Sequence, residues 1–266
     1  MRRLLAVLLI LGVVIAAGCI GDQVGLTKEK VLNAINSIER GEYTTNASVV
    51  VRAFSDRLNS TMKIEEYIQV NGAFDNRKKL EKGHLNVRVK YLGIETKVNW
   101  PYFANGSDVY FNINGKWYSM PLDNELTEFA NSSLNVDFIE KLLSNKEIEM
   151  KRIKGGYYFK TNITFGEILN ATGREFINTL LKNSDIANIT TKSGYIEVKI
   201  RGDGMPYWIH EYLNVVVSIR DPIKGDTANM YLTINETTEL RNINGDVIIT
   251  TPKGIEEAKP LDDVLG

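Results

Sequence analysis

Few residues in this chain are equipped for chemistry. Among 266 residues there is one cysteine, Cys19, and there are two histidines, His84 and His210. A zinc-protease helix needs a His pair on one face, and the stretch "HEYLN" from His210 to Asn214 supplies a single His. The chain carries no G-x-S-x-G elbow, no P-loop and no dinucleotide-type glycine pattern. Gly202 and Gly204 in "RGDGMP" read as a turn between strands. Three acidic pairs remain, Glu65–Glu66, Glu256–Glu257 and Asp262–Asp263. Neighbours on a strand point to opposite faces, so Glu65 and Glu66 do not converge as an acid/base couple. The other two pairs lie in a polar tail. With no nucleophile–base pair, metal cluster or cofactor site, the expectation is a protein that is not an enzyme.

The position of Cys19 carries more information than its reactivity. Arg2 and Arg3 precede an apolar run from Leu4 to Ala17, which is short for a bilayer span of about 20 residues. A basic start, a short apolar core and the small residues Ala16, Ala17 and Gly18 describe a secretory signal peptide. With Cys19 next, the stretch resembles the lipobox of prokaryotic lipoproteins, in which the thiol carries a diacylglyceryl group. The other reading is an uncleaved signal anchor beside an incidental cysteine. Two chains of palmitate or isoprenoid type satisfy the requirement for stable anchoring, which one chain does not. Residues 1–18 are thus expected to be removed and residues 19–25 to form a lipid-anchored tether. Loss of the two arginines moves the net charge from −1 to −3, a balance with no footprint for nucleic acid.

A second compartment signal is the sequon Asn-x-Ser/Thr, found at Asn46, Asn59, Asn105, Asn131, Asn162, Asn170, Asn188 and Asn235. Either these mark an N-glycosylated outer surface, or they reflect an Asn- and Thr-rich composition in polar turns and strand faces. Taken with the lipobox, they point to an archaeal surface lipoprotein held on the extracytoplasmic face of the cell membrane.

Aromatic residues are the remaining candidates. Tyr110, Phe111, Trp117 and Tyr118 occupy facing strands of one hairpin, and Tyr207, Trp208 and Tyr212 share another strand. They read as cross-strand core packing or as the lining of an apolar pocket between sheet and helices, to which Phe138 and Phe176 would contribute.

The elements that position these residues follow from periodicity. Val31, Leu32, Ile35 and Ile38 predict a helix capped by Thr27 and stopped by Gly41. Strand-like stretches "SVVVRAF" and "TMKIEEYIQV" follow, with Asn71-Gly72 as a turn. In "LNVRVKYLGIETKVNW" the apolar parity flips at Leu92-Gly93, which predicts a bulge. The clearest hairpin is "DVYFNINGKWYSMP", turning at Asn114-Gly115. Two helical stretches, "NVDFIEKLLSNKE" and "TFGEILNATGREFINTLLKN", flank a short strand pair that turns at Gly155-Gly156. Strands return in "YIEVKIRG", "WIHEYLNVVVSIRD", "TANMYLTINETTEL" and "GDVIITTP", with turns at Pro222, Gly225 and Asn244-Gly245. A polar tail without a C-terminal anchor ends the chain. The prediction is an α+β fold over residues 26–266, a single domain with a strongly curved antiparallel sheet and its helices on the concave face.

The lipobox, the first helix, the "DVYF…GKWY" hairpin, the paired helices and the late "VIITTP" resemble the LolA/LppX superfamily over about residues 27–259. The landmarks are Tyr110, Gly115-Lys116-Trp117 and "ITTP" at 249–252. The resemblance implies an unclosed β-barrel with helices filling its opening, and a cavity that holds acyl or isoprenoid chains without catalysis. Two functions follow as expectations: a membrane-anchored protein that binds or carries a lipid or other apolar ligand, or a structural and protein-interaction module of the cell envelope.

Overall fold

Apolar and polar residues alternate from Arg40 onward, and the alternation is realised as long antiparallel strands. The structure is a computed structural model and describes residues 27–55, 60–121, 146, 148–172, 186–220 and 227–261. The strands are β1 (Arg40–Ser55), β2 (Ser60–Asp75), β3 (Leu80–Tyr91), β4 (Ile94–Ala104), β5 (Asp108–Ile113) and β6 (Lys116–Pro121). They continue as β7 (Lys151–Ile153), β8 (Gly156–Asn162), β9 (Ile186–Arg201), β10 (Pro206–Arg220), β11 (Thr227–Arg241) and β12 (Lys259–Pro260). All belong to one curved sheet in the order β12-β6-β5-β4-β3-β2-β1-β11-β10-β9-β8-β7. It is antiparallel except where β12 joins β6 in parallel, and its two edges do not meet.

Helix α1 (Lys28–Asn36) begins at Thr27, whose Oγ1 accepts the Lys30 N–H at 3.2 Å, as its sequence predicts. The helix ends at Ser37, before Gly41, which lies within β1. Its buried stripe, Val31 and Ile35 followed by Ile38, packs against Tyr43, Phe74, Phe159, Ile196, Val198, Ile200, Ile209 and Leu240. Each such side chain contributes about 1.5–3 kcal/mol when fully buried. Helix α2 (Phe165–Thr172) starts with a capping box, in which Thr164 Oγ1 accepts the Glu167 N–H at 3.2 Å and Glu167 Oε2 accepts the Thr164 N–H at 2.7 Å. Its Phe165 and Ile168 pack on Leu213, Val215 and Val217. By strand register these sheet residues lie on the same face as the α1 contacts. We call it the helix-bearing face. Among the described residues no helix is long and apolar enough to cross a membrane.

Four local expectations are corrected. Leu92-Gly93 is the turn of a hairpin, not a bulge, because Tyr91 pairs directly with Ile94. A two-residue turn inverts parity just as a bulge does. Asn71-Gly72 lies inside β2, and the turn comes at residues 76–79. The strand pair β7–β8 turns at Lys154-Gly155, since Ile153 pairs with Gly156. "GDVIITTP" forms no ladder. From Val247 the chain runs to the β6 edge, where Leu261 N–H donates to Ser119 O at 2.8 Å. The stretch "NVDFIEKLLSNKE" apart from Lys146, most of the helix predicted beyond Thr172, Pro222 and Gly225 lie outside the described residues.

Candidate functional site

The helix-bearing face divides into two halves. Over β9 and β10 it is covered: Ile196, Val198, Ile200 and Val215 have no exposed surface, and on β11 Met230, Leu232 and Ile234 are half-buried. Over β1–β4 the same face shows Val49, Val51, Ile64, Ile68, Val87 and Val98, all only half-buried. Trp100 and Phe111 continue this wall toward β6, their rings 5.8 Å apart and tilted. The result is a largely apolar wall, with Glu66 set in it between Val49 and Val89.

Polar groups sit at its borders. One cross-strand row reads Tyr43, Gly72, Gly83, Tyr102 over β1–β4. A Cβ on Gly72 would lie 2.8 Å from the Tyr43 ring, and one on Gly83 would lie 2.8 Å from the Tyr102 ring and 2.4 Å from Asn71 O. The glycines therefore let two tyrosine rings lie flat on the sheet, and both hydroxyls converge on Glu81 Oε1. Burial raises the Glu81 carboxyl, with hydrogen bonds from Tyr102 and Tyr43 pulling the other way. Both phenols are raised above their ordinary value, by burial first and then by the Glu81 charge.

A second border lies in the row Ile196, Glu211, Glu236, Ala47, Ile68, Val87, Val98. Two carboxyls here interrupt an apolar series that otherwise crosses the sheet. Burial, then the charge of Glu236, pushes Glu211 up to about 8. Burial raises Glu236 to about 7, with the Thr238 hydroxyl 3.5 Å from its Oε1 opposing. Among the described residues no donor reaches Glu211. At neutral pH this pair holds a proton, so it can donate as well as accept a hydrogen bond on the apolar wall.

The opposite face, one residue away, is built differently. Glu197 accepts from Lys160 at 2.9 Å and Tyr158 at 3.0 Å, and lies 3.0 Å from His210 Nδ1. Burial pushes Glu197 up, but its bonds to His210, Lys160 and Tyr158 more than offset this and hold it down at about 2. His210 Nε2 meets Asn235 Oδ1 at 2.8 Å, where a hydrolase would place a nucleophilic hydroxyl. Tyr195 stacks on Tyr212 at 5.3 Å, and Lys199 lies 4.0 Å from the Trp208 ring centre. Among the described residues no group of three or more His, Cys, Asp or Glu is arranged to hold a metal.

The predicted aromatic hairpin splits between the faces. Phe111 and Tyr118 are partners on the helix-bearing side. Tyr110 and Trp117 point the other way: Tyr110 packs on Phe103 with centroids 6.2 Å apart, and Trp117 Nε1 donates to Lys253 O at 3.2 Å. Trp208 and Tyr212 also belong to that face. Cys19, Phe138, Phe176, Asn59 and Asn131 lie outside the described residues, and Asn170 is described in backbone only. Asn46, Asn105, Asn162, Asn188 and Asn235 are exposed. Asn105 also braces its own turn, its Oδ1 accepting the Ser107 and Asp108 N–H groups at 3.3 and 3.1 Å. Sequence reasoning missed Glu211, Glu236 and the Tyr43–Glu81–Tyr102 node. For Glu236 a signal existed, because it continues the parity of Met230, Leu232 and Ile234. A polar, solvent-open cleft of about 420 Å³, lined by residues such as Lys30, Asn33, Ser37 and Asp203, lies between α1 and the β9–β10 turn and offers little apolar surface.

No family model matches the chain, and no curated protein does. Among solved structures it is similar to LprF from Mycobacterium bovis, at 12% identity and a TM-score of 0.39, over 85% of this chain and 94% of that one. It is also similar to lipovitellin, in a structure concerned with lipid–protein interactions, at 9% identity and a TM-score of 0.35, over 81% of this chain and 26% of that one. A β-barrel-like protein of domain DUF1849 from Brucella abortus matches at 6% identity and a TM-score of 0.21, over 77% of this chain and 99% of that one.

Proposed function

We propose that this protein is a membrane-anchored cell-surface lipoprotein that binds or carries a lipid or other apolar ligand on the helix-bearing face of β1–β5. The observation that carries this reading is the half-buried apolar wall, in a sheet whose β9 and β10 bury Ile196, Val198, Ile200 and Val215 completely on the same face. That face is the concave side, and the ligand lies between it and the helices. Small-molecule sites are concave and mostly apolar with a few placed polar groups. The Glu211–Glu236 pair and the Glu81 node supply those groups. The test is uptake of a fluorescent fatty acid by the full chain. Val98→Glu, in the wall, abolishes uptake while the β-sheet circular dichroism stays. Trp117→Glu, on the far face, leaves uptake intact. Equal uptake by the two variants contradicts the reading.

Anchoring rests on Cys19 behind its signal peptide, and the sequons support an outer, archaeal-type surface. The tether of residues 19–25, fully extended, reaches about 25 Å at most, so the domain stays near its bilayer. Cys19→Ser leaves the detergent phase or accumulates unprocessed; a processed, membrane-bound variant sinks the lipobox. The alternative, a protein-interaction module, draws on the Tyr195–Tyr212 stack and the Lys199–Trp208 contact of the opposite face. Tyr and Trp are enriched in such interfaces. Loss of a partner from cross-linked native membranes on Tyr212→Ala, with lipid uptake unchanged, favours it.

A further inference from the structure

Two hairpins of the sheet use the same two-residue turn with different residues. Asn114-Gly115, between β5 and β6, has φ of 54° and 83°, and Leu92-Gly93, between β3 and β4, has φ of 48° and 81°. Asn suits the left-handed region; leucine there is strained by its Cβ. Packing does not explain the leucine, because Leu92 is 71% exposed. Ile94 beside it is 69% exposed, and Tyr91 and Met62 complete an apolar tip. The tip is rimmed by charge of one dominant sign. On the opposite face behind it stand Arg52, Lys63, Arg88, Lys90 and Lys97, against Glu65 and Glu95 among the described residues. The two glutamates are paired to Lys63 and Lys97 at 2.7 and 2.8 Å.

We propose that the β3–β4 tip is a membrane-docking element: Leu92 and Ile94 enter an anionic bilayer while Lys90, Lys97 and Arg88 meet its phosphates. Apolar side chains with a basic collar are the arrangement that suits an interfacial anchor. The tip also has a path inward. Tyr91 and Ile94 are a cross-strand pair on the helix-bearing face, and the Val87–Val98 pair lies farther along the same two strands. Between them lies the Val89–Thr96 pair, so the tip and the apolar wall share one face of the same two strands. The inference deepens the lipid-carrier reading and rests on it for a bilayer within reach.

The test uses the full lipidated chain, its Cys19 thiol blocked by the anchor, reconstituted in phosphatidylcholine vesicles. Leu92→Cys carries an environment-sensitive fluorophore, and Asn76→Cys, on the β2–β3 turn, is the reference site. The expected result is quenching at position 92 by acyl-chain spin labels when phosphatidylglycerol is present, with none at position 76. Lys90→Glu with Lys97→Glu reduces it about threefold or more, and added salt does the same. With the label moved to Ile94→Cys, Leu92→Asn keeps the turn, does not lower the melting temperature, and yet loses quenching. Flotation of the same vesicles reads N-terminal attachment separately. A floating chain whose label at 92 is unquenched overturns the docking proposal and leaves the lipid-carrier reading standing. Equal quenching in neutral vesicles overturns the assignment to anionic lipid. Disulfide cross-linking of two chains through position 92 puts a second copy over the tip and also overturns it.

Discussion

Glu197 and Glu211 stand on paired strands, on rows one residue apart and on opposite faces of one sheet. The first is gripped by a lysine, a histidine and a tyrosine and is held at about 2; the second is faced by another carboxylate on an apolar wall and is pushed up to about 8. Burial pushes both upward, so partners alone decide the sign. Glu197 is a surface knot that holds β8, β9 and β10 together. Glu211 and Glu236 keep a polar, proton-holding spot in a wall that apolar packing would otherwise have completed. Glu81 is also raised by burial, with the hydrogen bonds of two phenols opposing.

The contrast can be broken most strongly at Glu81's support. Gly83→Ala drives a methyl into Asn71 O and the Tyr102 ring. It is expected to cost about 3 kcal/mol or more, read as a lower urea midpoint, with loss of the tyrosine node.

The next effect is pH dependence. Glu211 and Glu236 keep protons in the folded chain that the unfolded chain releases near pH 4.5. Their contribution to stability is therefore lost as pH rises from about 4.5 toward about 8. Glu197 runs the other way: its contribution is complete above the unfolded value and is lost as pH falls from about 4.5 toward about 2. Thermal melts should peak between these limbs. Glu211→Gln flattens the upper limb and raises stability at pH 8 by on the order of 2 kcal/mol. An unchanged upper limb shows that the pair is solvated.

Glu197→Gln leaves Lys160 and His210 without their carboxylate and costs about 1–2 kcal/mol, with the acid limb gone. The smallest effect is at the hairpin tip. Leu92→Asn relieves the left-handed strain and stabilises the fold by up to about 1 kcal/mol, read as a small rise in melting temperature.

Much of this architecture was legible in the sequence. The α1 stripe, its Thr27 cap, the Asn114-Gly115 hairpin and the alternation of β9–β11 all follow local rules, and the curved antiparallel sheet follows from them, whereas its unclosed form was implied by the family resemblance. The misread places have different causes, and one of them is a residue chosen for a distant neighbour. Gly72 looks like half of a turn, yet it makes room for the ring of Tyr43, on the neighbouring strand but far away in sequence. Leu92 looks like strand and sits in a turn. Glu211, within "HEYLN", shows its inward direction only once Ile209 and Leu213 are placed on the helix-bearing face. Period-2 reasoning also splits the aromatic hairpin, since Phe111 and Trp117 cannot share a face when Phe111 pairs with Tyr118. Adjacent aromatics were legible as a group, and their division between wall and outer surface was not.

The most direct test of the central claim is native mass spectrometry of the protein released from its own membranes. The account predicts a discrete added mass, lost on organic extraction and restored by incubation with the host's lipids. A clean chain mass that stays clean after that incubation would contradict it and leave the helix-bearing face filled by the protein's own side chains.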